Sequence, residues 1–383
     1  MIRNLSKGRG VAESVMALYR NIDRAKIQFD FVTHTKYFNC DMVDEIQSMG
    51  GQVYFVPDSA RKNRSKYKTY WNNFLQQHSE FKIVHAHTNG SVHDTAPVFL
   101  TVVKEHGLFT ILHSRNTGVG FGKNQRFIWK IRHSIKNLAL NLLRLKTADN
   151  FDYYFACSNA AGECVFGKKI IKQPNFCVVF SARNVEKYAF DAEVRKKVRL
   201  EFGIDNKTFV IGHVGRFEKQ KNHSFLINIF KKLHDKNPNT ILLLVGNDSA
   251  ILGGSIKNQV KSLNLNENVL FTGVRGDVNH LMQGMDVFVL PSLFEGLPGT
   301  AIEAQSAGLK CFLSDTITSE TKVTELIKFI SLNDSAQIWA DHILNCINCG
   351  YVRKDMTEQV RSAGFDIRQS AKWLQDFYED KLC

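Results

Sequence analysis

No stretch of this 383-residue chain approaches the roughly 20 consecutive apolar residues that a bilayer span needs; runs such as Ile241 to Val245 and Val287 to Leu290 fall far short. Proline is scarce, at 6 residues, and the 25 glycines follow no period, which excludes collagen-like and low-complexity chains. The opening Met1-Ile2-Arg3-Asn4-Leu5-Ser6-Lys7 lacks the apolar core of a secretory signal, so a cytoplasmic location is expected. Eight cysteines are scattered, mostly through hydrophobic stretches, as suits reduced thiols used as small apolar residues. One CxxC, Cys346-Ile347-Asn348-Cys349, has no second pair to complete a zinc site and reads as incidental. What the chain has is a hydrophobic content of 44%, enough for two ordinary cores, and a net charge of +13 that favours an anionic partner: nucleic acid, an acidic membrane surface or a phosphorylated substrate.

Apolar spacing alternates between helical and extended along the chain. Helical stretches are expected over Val11 to Tyr19, Asp41 to Met49, Tyr67 to His78 and Ala96 to Glu105. Strands are expected at Phe29 to Val32, Val53 to Val56, Ile83 to Ala86 and Phe109 to Leu112. The beat resumes with Val210 to Val214, Ile241 to Val245, Val269 to Phe271, Val287 to Leu290 and Cys311 to Leu313. This is βα winding, repeated in two doubly wound domains. We place them at 1–182 and 183–365, with 366–383 as a closing amphipathic helix. An α/β domain normally opens with a buried strand, yet only Met1, Ile2 and Leu5 are apolar before Gly8, so the first strand is expected to be shortened or missing.

Ligands of open α/β sheets bind beyond the carboxyl ends of the strands, so the residues just after each strand are the candidates. After Val214, a glycine turn leads to Arg216 and Lys221, a planar fork and a compact charge that together suit a diphosphate; the bland alternative is a solvated basic turn. After Leu290, a loop carries Glu295, and Pro298 is placed to begin a helix that carries Glu303. Amides near Gly299 and Thr300 would face a phosphate at that helix start, flanked by two carboxylates able to accept from hydroxyl groups. In the first domain His113 ends a strand, and His85 and His87 share one face of another. A metal is the temptation there, but no third ligand of matching spacing is evident in the sequence. Lys7-Gly8-Arg9-Gly10 is a poor dinucleotide fingerprint, because the third glycine would fall at Glu13.

The block Gly215-Arg216 through Lys221-Asn222, then Phe271-Thr272-Gly273-Val274-Arg275-Gly276-Asp277, then Glu295 with Glu303, resembles the group 1 glycosyltransferases, retaining enzymes of the GT-B fold. The likeness covers almost the whole chain and is nearest the bacterial members that make exopolysaccharide, capsule or lipopolysaccharide. It implies an α/β fold of GT-B type, two Rossmann-like domains facing across a cleft. It also implies transfer of a hexose-type sugar from a nucleotide-sugar, a UDP-sugar first, to a glycan or lipid-linked acceptor, with no metal or other cofactor. Carried over by position, Arg216 and Lys221 match the cations on the donor diphosphate, Glu303 the acid on the ribose and Glu295 the acid facing the sugar. Gly273 and Val274 match the base-recognising turn, Gly299 and Thr300 the helix start beneath the phosphates, Gly10 the first glycine turn, and His113 the histidine approaching the sugar.

This chain departs from the family pattern in reading Gly10-Val11 for Gly-Gly, where a β-branched side chain is expected to crowd the diphosphate, and Ser181-Ala182-Arg183-Asn184 at the domain joint. Two rival readings follow, an inert GT-B subunit that partners an active transferase and a sugar-nucleotide epimerase of the same fold; the paired glutamates argue against the epimerase. The basic, aromatic stretch 123–146 suits either an anionic membrane surface or a core helix with solvated lysines. Nothing resembles a nucleic-acid-binding module.

Overall fold

The structure is a computed structural model that describes residues 10–33, 40–56, 63–88, 96–115, 151–247 and 250–382. The stretch 123–146, with its membrane reading, lies outside the described residues. In chain order the strands are β1 (Phe31–Thr33), β2 (Val53–Phe55), β3 (Ile83–Thr88), β4 (Phe109–Ser114), β5 (Tyr153–Ala156) and β6 (Phe176–Val178), then β7 (Phe209–Val214), β8 (Thr240–Val245), β9 (Val269–Phe271), β10 (Val287–Leu290), β11 (Lys310–Ser314) and β12 (Ile327–Ile330). The helices used below are α1 (Gly10–Asn21), α2 (His223–Lys236), α3 (Gly299–Ser306) and α4 (Ile367–Leu382).

The chain divides into two compact units. One holds Met1–Ala182 together with Ile367–Cys383, the other Arg183–Asp366. The last helix is therefore part of the first unit rather than a separate closing segment: Ile367, Ala371, Leu374 and Tyr378 are buried in the same apolar cluster as Ala12, Met16 and Tyr19 of α1.

In the second unit six parallel strands lie in the order β12-β11-β10-β7-β8-β9. Counted from the first strand of that unit and read from β9, this is 3-2-1-4-5-6, the doubly wound order in which the direction of strand addition reverses between β7 and β10. Both sheet faces must then be apolar, and they are. One face packs Ile211, Leu242, Leu244 and Val289 under α2. The other packs Val210, Leu243, Phe288 and Leu290 against Leu281, Met285 and Ala304. Gly212 is the residue that lets Met285 reach the sheet, since a Cβ there would lie 2.0 Å from its sulfur.

The first unit has two parallel sheets, β1-β2 and β3-β4-β5-β6. In the order 3-2-1-4-5-6 the strand that opens a domain sits between the strands that are here β1 and β3. Among the described residues no strand fills that place. A cavity of about 280 Å³ in this unit is lined by Phe29, Phe31, Phe81 and Ile83, with Lys26, Asp30, Glu80 and Lys82 also on its walls. Its aromatic walls suit a small aromatic solute. Indole at about ten times its dissociation constant is expected to raise the melting temperature of the first unit by about 3 °C. Calorimetry with and without indole checks this, and an unshifted transition would show that the space is not accessible.

Candidate active site

The carboxyl ends of β7 and β10 flank the point where the second sheet reverses direction. After β7 the chain turns at Gly215, where a Cβ would lie 3.1 Å from both Cδ and Cε of Lys221. The glycine thus makes room for the lysine stem. A short 3₁₀ turn, Lys219–Lys221, then leads through Asn222, left-handed at φ 57°, into α2. Arg216 pairs with Glu218 beside the turn.

The loop after β10 is laced to this turn. Leu293 N donates to Gln220 O at 2.8 Å, and Gln220 Nε2 donates to Phe294 O at 2.9 Å and to Glu295 Oε2 at 3.1 Å. Lys221 Nζ donates to the other carboxylate oxygen, Glu295 Oε1, at 2.7 Å. Glu295 is 8% exposed, so its charge is held by its protein partners more than by water. Gln220 had no signal in the sequence, being one more polar residue in a basic turn.

Pro298 caps α3 in extended conformation, and Gly299 and Thr300 open it. The buried Thr300 hydroxyl finds no hydrogen-bond partner among the described residues. Gly299 has a role that spacing did not reveal: a Cβ there would lie 1.9 Å from Arg183 Nη2, so the guanidinium lies against the first residue of the helix. Arg183 Nε also donates to Glu303 Oε1 at 2.6 Å, an ion pair in which both side chains are largely buried. Gly273, left-handed at φ 69°, receives Gly246 N on its carbonyl at 3.0 Å and presents Val274, 64% exposed, at the strand ends. Arg216, Lys221, Gly273, Val274, Glu295, Gly299, Thr300 and Glu303 all lie in the second unit, in the segments that follow β7, β9 and β10.

Gly10 and His113 belong to the first unit. Val11, expected to crowd the space before α1, instead packs inward against the apolar cluster, because positions 11, 15 and 18 share one helix face. His113 is fully buried, and its ring meets those of His85 and His87. The expectation that no third ligand accompanies His85 and His87 is corrected here: His113 is that third imidazole, opposite His87 in the β3–β4 register, and one ring nitrogen from each of the three lies within 4.8 Å of the others. Sequence distance concealed it. Four of the six ring nitrogens are nonetheless engaged in hydrogen bonds. His85 bonds through both nitrogens, to Tyr378 Oη at 2.6 Å and to His113 Nδ1 at 2.9 Å. His87 Nδ1 accepts from Arg115 Nε at 3.2 Å, which sets a permanent cation beside the rings. Burial first, and then the Arg115 charge, hold all three far below the ordinary histidine range and hence neutral.

In the second unit His223 stacks on Phe217, with ring centroids 4.1 Å apart, and burial together with Lys221 pushes its pKa down to about 4. The unfolded chain therefore binds a proton at this residue below about pH 6.5 that the folded chain refuses. The stability this contributes is complete above that pH and falls by about 3 kcal/mol as pH drops to 4. His223→Phe, which keeps the stack, is expected to flatten the acid limb of the stability curve by that amount. Urea unfolding at pH 7 and pH 4.5 tests it; equal slopes for both proteins would rule it out.

Comparison with known proteins agrees with this architecture. Residues 194–363 match the family described as glycosyl transferases group 1. EpsF of Bacillus subtilis (strain 168), named as a glycosyltransferase, is 31% identical over 373 residues, covering 97% of this chain and 93% of its own. The Escherichia coli UDP-Gal:alpha-D-GlcNAc-diphosphoundecaprenol alpha-1,3-galactosyltransferase is 29% identical over 219 residues, 54% of each chain. Among solved structures, Anabaena HepE in complex with UDP and glucose superposes with a TM-score of 0.77 at 14% identity, over 99% of this chain and 98% of that one. The lipopolysaccharide glycosyltransferase WaaG superposes with a TM-score of 0.67 at 14% identity, over 96% of this chain and 95% of its own. With two doubly wound units, paired acids and cations at the reversal of the second sheet, and a relative alike over nearly its full length, the chain belongs to the group 1 glycosyltransferases of GT-B fold.

Proposed function

We propose that the protein is a retaining hexosyltransferase that takes its sugar from a UDP-sugar and passes it to a glycan or lipid-linked acceptor in cell-surface polysaccharide synthesis. The observation that carries this reading is the placement of Arg216, Lys221 and Glu295 on the two loops that flank the sheet reversal, with Glu303 on the helix beside them. The relatives support the rest: the E. coli enzyme is named for UDP-Gal and a diphosphoundecaprenol acceptor, and HepE was solved with UDP and glucose.

The chemistry follows from charge. Breaking the bond between the anomeric carbon and the donor phosphate leaves negative charge on the nucleoside diphosphate, and Arg216, Lys221 and the amides opening α3 stabilise that charge more as it grows. Fixed cations supply what a divalent ion supplies elsewhere, so no metal is assigned. The acceptor hydroxyl forms the new glycosidic bond on the face the phosphate leaves, its proton passing to the departing phosphate oxygen. Configuration is retained and no protein nucleophile is needed. In this reading Glu303 is assigned the ribose hydroxyls, Glu295 and His113 the sugar, and Gly273 and Val274 the base.

One observation favours a second reading. Arg183 already engages Glu303 and covers Gly299, which suits a GT-B subunit that binds nucleotide weakly and partners an active transferase.

Transfer and hydrolysis assays across UDP-, GDP- and ADP-sugars decide between the two. Turnover is expected with a UDP-sugar and unchanged by EDTA. Lys221→Ala is expected to lower kcat/KM by at least about a hundredfold, the loss of one charged contact to the transition state. Glu295→Gln should act mainly on kcat. Nucleotide binding without turnover of any sugar would establish the second reading; wild-type rates in both variants would overturn the site.

A further inference from the structure

Cys346-Ile347-Asn348-Cys349 has no second pair to complete a zinc site, but the structure surrounds it with groups that spacing did not show. Cys346 lies in the last turn of the helix Ala336–Asn348, buried in the same apolar cluster as Leu226 and Phe230 of α2. Cys349 caps that helix and is the one exposed thiol among the described cysteines. Three residues along a helix separate two Cα atoms by about 5 Å, within the span of a disulfide. Cys349 Sγ lies 3.1 Å from Cys346 O, and the two thiols are hydrogen-bond neighbours.

Lys310, the first residue of β11, brings Nζ to 3.6 Å from Cys349 Sγ and to 4.7 Å from the centre of the Tyr351 ring. Among the described residues no carboxylate pairs with this ammonium, so its charge is directed at the sulfur and the ring. An ammonium so placed can donate to a negatively charged sulfur, or to an oxygen bonded to it. Burial pushes the Cys346 thiol up to about 11, which keeps it protonated. An accessible sulfur beside a cation, with a second thiol in reach, is how a peroxide-reactive cysteine and its resolving partner are arranged.

We propose that Cys349 and Cys346 form a reversible redox site for hydroperoxides, with Cys349 as the attacking sulfur, Cys346 as the resolving one and Lys310 as the donor to the oxygen between them. The Cys349 sulfur takes the outer oxygen of the hydroperoxide. An S–O bond forms, the O–O bond breaks, and an alcohol leaves with the thiol hydrogen. Cys349 is then a sulfenic acid, oxidised by two electrons. The Cys346 sulfur attacks the Cys349 sulfur, the S–S bond forms, and the S–O bond breaks to release water that carries off the Cys346 hydrogen. Two thiols and one hydroperoxide thus give one disulfide, one alcohol and one water, and a reducing thiol restores the pair by exchange.

The site stands at the head of a strap. Gly350, left-handed at φ 61°, turns the chain out of the helix. Tyr351 Oη then donates to Gly308 O at 3.2 Å and Arg353 Nε to Ala307 O at 2.9 Å, just beyond the last residue of α3. Because α3 carries Glu303, the disulfide pins the strap that holds the far end of that helix. The inference stands whether or not the transferase reading does.

Peptide mass mapping of the folded, fully reduced chain after treatment with hydrogen peroxide tests the proposal. The wild type is expected to yield Cys346 and Cys349 joined and lighter by two hydrogens, reversed by dithiothreitol. In Cys346→Ala the resolving sulfur is gone, so Cys349 is expected to accumulate as sulfenic acid, trapped by dimedone, and then as sulfinic acid. In Cys349→Ala, Cys346 is expected to remain a thiol. Lys310→Met, which keeps the stem and removes the charge, is expected to slow disulfide formation by about tenfold with the same product. Near-ultraviolet circular dichroism shows whether each variant is folded. Two free thiols under conditions that oxidise the same chain in urea overturn the proposal, as does a dimedone adduct in place of the disulfide in the wild type, or a disulfide from Cys349 to any other cysteine. A wild-type rate in Lys310→Met overturns the part assigned to the lysine.

Discussion

Lys221 and Glu295 are 74 residues apart and form one buried ion pair. The pair draws on the space at Gly215, where a Cβ would lie 3.1 Å from Cδ and Cε of Lys221. It depends equally on the sheet order, which sets β7 beside β10. A buried ammonium and carboxylate each cost several kcal/mol to desolvate, and only close pairing with further hydrogen bonds offsets this. Gln220 supplies one of those bonds on the second carboxylate oxygen. The loops after β7 and β10 are therefore tied to one another through Gln220, Lys221 and Glu295.

Pre-organisation of this kind is what electrostatic catalysis requires, since groups that must reorient during the reaction lose much of their benefit. The neighbouring Arg183–Glu303 pair works differently. It joins the first residue of the second unit to the helix that follows β10, and it explains why position 299 is glycine without appeal to a phosphate.

Strand-end residues stood out in the sequence because the doubly wound fold puts ligand contacts just after strands; Gly215, Arg216 and Lys221 follow β7 and Glu295 follows β10, while Glu303 lies within α3. The alternation of helical and extended spacing likewise located most strands. What spacing did not reveal is contact over long distances. Tyr378 meets His85 across 293 residues and Arg183 meets Glu303 across 120. His113 joins His85 and His87 only through the β3–β4 register. Short strands such as β12, Ile-Lys-Phe-Ile, carry too few residues for a period to show. Val11 misled for a related reason: a family pattern fixes position along the chain, while the helix phase decides which way the side chain points.

The second unit begins at Arg183 and ends at Asp366, and these two residues pair as a parallel bridge, with Arg183 N donating to Phe365 O at 2.8 Å. Topologically it is an insertion, because the chain leaves the first unit and returns to it. Its two ends are hydrogen-bonded neighbours, as the ends of a transplantable cassette must be. A lineage could therefore exchange one nucleotide-sugar unit for another at this seam while the host kept both of its termini and the last helix with Tyr378.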